Sequence, residues 1–136
     1  MTVTEAIIDT DILSFYFKGD EKVVARFGEY LNQFDQVNLS IVTYYEIIAG
    51  LKFRKAGRQL QNFEDFVNDN NIINISEGSV KISGDIYADL RQRGITIGTS
   101  DILIAGIAIE NGLTLITNNE KHYEAIQGLH IENWKR

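Results

Sequence analysis

The 136-residue chain contains no cysteine and no proline. Without cysteine it can form neither a disulfide framework nor a thiolate metal site, which suits a cytoplasmic protein. No apolar run approaches the ~18 residues that a membrane-spanning helix needs. The first residues, MTVTEAIID, lack the basic and apolar segments of a signal peptide. We therefore expect a cytoplasmic location and no membrane partner.

Positive charge is also scarce, because 13 Lys and Arg residues stand against 19 Asp and Glu, for a net charge of -6. Proteins that bind long nucleic acids mainly through the phosphates are usually basic, so the charge disfavours broad, non-specific nucleic-acid binding. An enzyme that acts on nucleic acid is not excluded, since acids that bind a divalent metal themselves add negative charge. The length and the absence of repeats or Gly/Ser linkers predict a single domain over residues 1–136.

Short apolar runs alternate with stretches of helical periodicity. The predicted strands are EAIID, QVNLSIV, NIINI, LTLIT and LHIENW. The predicted helix starts are Thr43, Ser76 with Ser79, and Thr99 or Ser100, and the predicted ends include Gly19, Gly94 and Gly112. Strands that alternate with helices indicate a parallel sheet covered on both faces. The predicted fold is an α/β domain, a three-layer α/β/α sandwich with a central parallel sheet.

Acidic and amide side chains follow three of these strands, and a further acid lies at the start of a predicted helix. They are Asp9 and Asp11 after the first, Glu46 one turn into the next helix, Asp101 in the first turn of the helix near Thr99, and Asn118, Asn119 and Glu120 after LTLIT. Ligands of open α/β sheets bind beyond the carboxyl ends of the strands, so all of them can face one cleft. Each acid alone also fits a helix cap or a partner for the helix dipole. Glu46, however, lies in an apolar stretch, where a buried carboxylate needs a partner or a cation.

Carboxylates without His or Cys suit the hard cations Mg²⁺ and Mn²⁺. Such a cation promotes phosphodiester hydrolysis by activating water and shielding the charge of the phosphate. The acids therefore indicate phosphoryl chemistry with water as the acceptor.

The ordered segments IIDTDIL, SIVTYYEIIAGL, GTSDILIAGIAIENGLTLITNN and LHIENW resemble the PIN-domain ribonucleases. Within them the chain is most similar to the VapC-type toxins of bacterial toxin–antitoxin modules. The resemblance covers nearly the whole chain and implies the same α/β/α fold. It implies a Mg²⁺-dependent endoribonuclease, with Mn²⁺ as a substitute, that acts on RNA.

By this resemblance Asp9, Glu46 and Asp101 are the catalytic acids. Asp9 and Asp101 bind the metal most directly, and Glu46 is a further ligand or positions a water. Thr10 and Ser100 stand beside the acids and hydrogen-bond metal waters or phosphate, unless they serve only as caps. Thr117 matches the family's hydroxyl residue after the fourth strand.

The chain departs from the family pattern at Asn119, where many members have aspartate. An amide oxygen can still coordinate a cation, but the lost charge weakens any second metal. The neighbouring Glu120 is a possible compensation, and Asn119 leaves open whether one or two metals act. Asp11 we interpret as a capping or supporting residue.

The resemblance also implies a cognate antitoxin that inserts a basic residue into the acid pocket, and a homodimer. Arg pairs bidentately with carboxylates, which agrees with an acidic cleft.

The densest basic stretch is LKFRKAGRQL, where Arg54 and Lys55 are candidate contacts for RNA phosphates. The alternative is an ordinary solvated helix end, where cations favour the dipole. We interpret His122 and His130 as structural, because metal-assisted hydrolysis needs no imidazole here.

Two rival functions remain. A phospho-acceptor receiver domain also has acids after its first strand, but here NIINISEG supplies no acceptor aspartate and no suitable lysine precedes LHIENW. A PIN domain with a mainly binding role, or with DNA nuclease activity, is the closer alternative because of Asn119.

Overall fold

A computed structural model describes residues 3–136; the first two residues of the segment MTVTEAIID lie outside the described residues. The chain forms five short strands and seven helices in this range. The strands are β1 (Ala6–Ile8), β2 (Asn38–Ser40), β3 (Asn71–Ile73), β4 (Thr114–Ile116) and β5 (Ile131–Glu132). The helices are α1 (Thr10–Phe17), α2 (Glu21–Gln33), α3 (Ile41–Phe53), α4 (Gly57–Asn68), α5 (Glu77–Gln92), α6 (Thr99–Glu110) and α7 (Glu120–Tyr123).

The strands pair in parallel in the order β3-β2-β1-β4-β5, which leaves β1 at the centre. Successive side chains of β1 enter different cores: Ile8 packs in the cluster that includes residues of α1, α2 and α4, and Ile7 packs with α5 and α6. Because strand side chains alternate between faces, helices cover both sides of the sheet. The predicted three-layer α/β/α sandwich with a parallel sheet is confirmed.

The helix termini largely follow the predicted cap residues. Ser76 and Ser79 form a reciprocal capping box at the start of α5. Gly19 and Gly112, with φ of 80° and 64°, follow the ends of α1 and α6, where a side chain would be strained. The prediction for Thr43 is wrong, because Ser40 caps α3 by accepting a hydrogen bond from the Thr43 N–H at 3.0 Å. The helix begins directly after β2, so the last residue of the strand is also the cap.

Helices α5 and α6 approach each other closely at Gly106. A Cβ built on Gly106 would lie 2.0 Å from Ser83 Oγ and 2.6 Å from the Ser79 carbonyl oxygen. Ser83 donates its hydroxyl hydrogen to the Ile102 carbonyl oxygen at 3.0 Å, so even its polar group is satisfied inside the contact. Small residues on both helices therefore set the distance between them.

Trp134 lies buried near the end of the chain, with its ring centroid 5.3 Å from that of Phe27 in an edge-to-face arrangement. It packs the segment after β5 against α2. Along residues 3–136, no helix combines the length and the apolar character needed to cross a bilayer.

Candidate functional site

The predicted acids lie at the carboxyl edge of the sheet, around the central strand β1. Asp9 follows β1 directly, and Thr117 follows the neighbouring strand β4. On the other side of β1, strand β2 leads into α3, which carries Glu46. Parallel strands bring their carboxyl ends to one edge, so distant parts of the chain meet here.

Asp9 is the most buried of these acids, with 3% of its surface exposed. As the N-cap of α1, it accepts a hydrogen bond from the Thr10 N–H at 2.9 Å. Its second oxygen accepts the hydroxyl hydrogen of Thr117 at 2.8 Å. Burial, the charge of Asp11 and more weakly that of Asp101 raise the pKa of Asp9 to about 7, against the lowering effect of the two hydrogen bonds. Ionisation of Asp9 therefore costs more free energy than ionisation of an exposed aspartate.

Asp11 joins two loops at the same edge. Its carboxylate accepts hydrogen bonds from the Ile12 N–H at 2.7 Å and the Asn118 N–H at 3.0 Å. Burial raises its pKa, and the charge of Asp101 adds to this, while the two backbone hydrogen bonds lower it. Asp11 therefore ties the start of α1 to the segment after β4, in agreement with a supporting role.

Glu46 is held by a residue that neighbours Asp9. Thr10 donates its hydroxyl hydrogen to Glu46 Oε1 at 2.6 Å, and the hydroxyl oxygens of Thr10 and Thr43 lie 3.1 Å apart. Glu46 is half-buried, and among residues 3–136 its other oxygen, Oε2, accepts no hydrogen bond from the protein. One oxygen is therefore fixed and the other is open to a ligand.

Asp101, in the first turn of α6, is held by α7, a short helix that the sequence pattern does not predict. The Tyr123 hydroxyl donates to Asp101 Oδ1 at 3.0 Å, and His122 Nδ1 lies 2.9 Å from Oδ2. His122, interpreted as structural, thus contacts a predicted catalytic acid. His122 lies in the segment that follows Thr117, and this position is the sequence signal that could have predicted its place at the site. Ser100 adjoins Asp101 and is half-buried, and its hydroxyl has no hydrogen-bond partner in the described part of the chain.

The segment after β4 contributes a hydroxyl and amides rather than a free carboxylate. Thr117 is fully buried, and its hydroxyl oxygen also accepts the Asn119 N–H at 3.0 Å. The Asn119 side chain is exposed. Glu120 is turned to Asn133 and Arg136, each of which donates to Oε2 at 3.0 Å, and these contacts lower its pKa. Glu120 therefore binds Asn133 and Arg136 and forms no contact with the other acids among the described residues.

The donor chemistry of this edge fits a hard divalent cation. In addition to burial, the charges of Asp11 and Asp101 raise the pKa of Asp9, and the charge of Asp101 also raises the pKa of Asp11. Within residues 3–136 no Lys or Arg lies at ion-pair distance from these acids or from Glu46. A cation would relieve this repulsion. In the same residues no group of three or more His, Asp or Glu side chains already has the geometry of a metal site. The metal therefore stays a prediction.

The two basic candidates separate in the structure. Arg54 follows the last residue of α3 and lines a cavity that also contacts Thr10 and Glu46. Lys55 has a φ of 55°, which turns the backbone, and its side chain does not line this cavity. Of these two candidates, Arg54 is the one that lines the cavity beside Glu46.

Comparison with known proteins identifies relatives over nearly the whole chain. The model of the PIN domain family matches residues 6–127. The tRNA(fMet)-specific endonuclease VapC of Shigella flexneri is 34% identical over 130 residues, which cover 94% of this chain and 96% of that protein. Ribonuclease VapC2 of Rickettsia felis is 33% identical over 109 residues, or 79% of this chain and 81% of the relative.

Solved structures share the fold. VapBC2 from Rickettsia felis, bound to a promoter DNA fragment, contains a chain with a TM-score of 0.86 and 29% identity, over 95% of this chain and 98% of that one. DNA-bound VapBC from Salmonella typhimurium gives a TM-score of 0.86 and 29% identity over 97% and 99% of the two chains.

Proposed function

The chain belongs to the PIN domain family, and on that premise we propose that it is an endoribonuclease and the toxin of a toxin–antitoxin module. The observation that carries the proposal is Asp9, a buried carboxylate at the carboxyl end of the central strand that has no basic partner among residues 3–136. The ribonuclease names of the relatives and the VapBC complexes among the structural neighbours support it. A receiver domain has no such support.

In this proposal Asp9 and Asp101 hold Mg²⁺ or Mn²⁺, with Glu46 beside them. The bound cation supplies activation of water and neutralisation of the charge of the phosphate. Thr117 and the Thr10 N–H fix both oxygens of Asp9, and Tyr123 and His122 fix those of Asp101. Such partners orient ligands and typically affect metal affinity when they are removed.

Glu46 and Asn119 take different parts. Thr10 holds Glu46 Oε1, so that Oε2 can accept a hydrogen bond from the attacking water. Asn119 offers an amide oxygen without charge, and Glu120 is already paired with Arg136 at 2.7 Å. The chain thus lacks a free fourth carboxylate in this segment, and we propose that one tightly bound cation is sufficient.

The substrate and partners follow the relatives. The Shigella flexneri relative is named as a tRNA(fMet)-specific endonuclease, and we propose a structured RNA cut in a single-stranded loop as the substrate. The structural neighbours are toxin–antitoxin complexes, so we propose a cognate antitoxin that silences the enzyme in the cytoplasm. A homodimer is part of the same proposal.

The test is cleavage of total bacterial RNA by the purified chain, with Mn²⁺ or Mg²⁺ against EDTA. Asp9→Asn removes the central charge, and Asp85→Asn makes the same change on an exposed position of α5. We expect discrete fragments with metal for the wild type and Asp85→Asn, and none for Asp9→Asn or with EDTA.

Full cleavage by Asp9→Asn, or cleavage that is insensitive to EDTA, would contradict the proposed mechanism. A parallel assay on single-stranded and duplex DNA tests the alternative of DNA cleavage. Metal binding without cleavage of either polymer would favour a binding role.

A further inference from the structure

A cavity opens beside the acids, between helices α1, α3 and α4. It has a volume of about 280 Å³, and Thr10 and Glu46 form part of its wall, so it is continuous with the candidate site. This volume is close to the lower limit of ligand pockets. It suits one nucleoside and is too small for a paired or stacked segment. We call it the α1–α3–α4 pocket.

One wall of the pocket is apolar and aromatic. Phe17 keeps 45% of its surface exposed although it packs edge-on against Phe63, with ring centroids 5.9 Å apart. Ile47 and Leu51 of α3 continue this wall. Unstacked bases of single-stranded RNA bind to such aromatic and apolar surfaces, because every base has an apolar face.

The part of the wall from α4 presents side-chain amides. Gln59 and Asn62 both line the pocket, and within residues 3–136 neither amide forms a hydrogen bond with the protein. Gln61, between them in sequence, is bonded to Asp65 at 3.0 Å and does not line the pocket. An amide offers a donor and an acceptor, which is what the polar edge of a base requires.

Two cations, Lys18 and Arg54, also line the pocket and outnumber its single carboxylate, Glu46. Neither forms an ion pair among the described residues, although the chain as a whole carries a net charge of -6. Unpaired cations beside an apolar pocket favour a polyanion over a basic peptide, since they repel Lys and Arg side chains. The charge therefore points to the substrate as the occupant.

We propose that the α1–α3–α4 pocket holds one unstacked nucleotide of the RNA, adjacent to the phosphate that is cut. Its base lies on Phe17 and is recognised by Gln59 and Asn62, and Arg54 contacts the neighbouring phosphate. This inference rests on the proposed ribonuclease function and adds a source of base preference at the cleaved step.

The first test sequences the RNA ends that each variant produces with Mn²⁺. Gln59→Ala and Asn62→Ala remove the amides, and Gln61→Ala is the matched control on the same helix. We expect the nucleotide preference beside the cut to fall about tenfold in the first two, the scale of one lost base contact, and to remain in the control. Unchanged cut sites in both pocket variants would overturn the proposal.

The second test does not depend on cleavage. Short single-stranded RNA that contains 4-thiouridine is cross-linked to the wild-type protein in EDTA, and the modified peptides are identified by mass spectrometry. We expect cross-links in the segments 14–18 and 59–63, and weaker RNA binding by Arg54→Gln than by Lys55→Gln.

The two tests separate the possible failures. Cross-links in the pocket without any cleavage would retain the base pocket and reject the nuclease. Cleavage with cross-links only elsewhere would retain the nuclease and reject the pocket. Arg54→Gln could instead escape inhibition by an antitoxin peptide while its RNA cross-links and cut sites stay unchanged. That result would assign the pocket to the peptide and overturn the proposal. Absence of both RNA binding and cleavage would reject both.

Discussion

Tyr123 donates its hydroxyl hydrogen to Asp101 Oδ1 at 3.0 Å from within the core, where its ring is fully buried. Burial raises the pKa of Tyr123, and the charges of Asp9 and Asp101 raise it further, so the hydroxyl stays protonated and remains a donor. A residue of the hydrophobic core therefore contacts an acid of the candidate site directly.

Removing this hydroxyl should weaken metal binding more than folding. We expect Tyr123→Phe to lower Mn²⁺ affinity about 10- to 100-fold, since Asp101 loses a partner that orients it. The free energy of unfolding should fall by only about 1 kcal/mol. Calorimetric titration and urea unfolding measure the two effects. Tyr87→Phe, on the exposed face of α5, is the control; equal affinities for both variants would contradict an orienting role.

The hydrogen bond from Thr10 to Glu46 gives a second prediction. Thr10→Val keeps the shape of the side chain but removes the donor, so Glu46 loses its fixed orientation. We expect kcat for RNA cleavage to fall about 10- to 100-fold with little change in KM. Thr10→Ser retains the hydroxyl and should restore most of the rate. A Thr10→Val enzyme as active as Thr10→Ser would show that the bond has no catalytic part.

The raised pKa of Asp9 predicts a dependence of stability on pH. In EDTA the folded chain holds the Asp9 proton up to a pH of about 7, whereas the unfolded chain releases it near its ordinary value of 3.8. Unfolding therefore releases a proton between these values, and stability falls as the pH rises through that window. Relative to Asp9→Asn, we expect the wild type to lose up to about 4 kcal/mol of unfolding free energy across it.

Urea unfolding of both proteins at several pH values measures this difference. Because the two proteins differ only at Asp9, the contributions of the groups that they share largely cancel. Parallel pH profiles for the two proteins would mean that Asp9 titrates as an ordinary exposed acid. Adding Mn²⁺ at neutral pH should stabilise the wild type and leave Asp9→Asn nearly unchanged.

Asn119 tests the effect of the missing charge. We expect Asn119→Asp to tighten Mn²⁺ binding several-fold, because a further carboxylate in the segment after β4 favours a cation. Asn74→Asp adds the same charge after β3, at the far edge of the sheet, and should have no effect. Calorimetry also gives the stoichiometry; two cations on the wild type would refute the single-cation proposal.

The contact between α5 and α6 predicts opposite effects of one substitution at two sites. Gly106→Ala places a methyl group against Ser83 Oγ and the Ser79 carbonyl oxygen, and should cost about 1–3 kcal/mol of stability. Gly84→Ala, in α5, meets no atom within 4 Å. It should stabilise the fold by about 0.5–1 kcal/mol, since alanine favours helix. Thermal unfolding of the two variants decides this, and similar melting temperatures would contradict the close contact.

The fold and the position of the acids could be predicted because their signals are local. Apolar runs such as EAIID and LTLIT mark strands, and glycines such as Gly19 mark helix ends. The cap of α3 was misplaced because SIVT offers two hydroxyl residues, and only the direct passage from β2 into the helix selects Ser40.

The partners of the acids depend on tertiary packing, which no local pattern encodes. His122 and Tyr123 reach Asp101 only because α7 packs against α6. Glu120 meets Arg136 through the folding of the last residues of the chain. The separation of Arg54 from Lys55 results from the backbone turn at Lys55, with its φ of 55°.

The hydrogen bond between Asp9 and Thr117 spans 108 positions of the chain, and strand β4 must pair with β1 before it can form. During synthesis, Asp9 leaves the ribosome long before Thr117, and residues still inside the exit tunnel cannot join the sheet. The carboxylate centre is therefore completed only after the chain has emerged as far as Thr117. A translation product that ends before Thr117 carries Asp9 and Glu46 but cannot form this contact, so it has no assembled site.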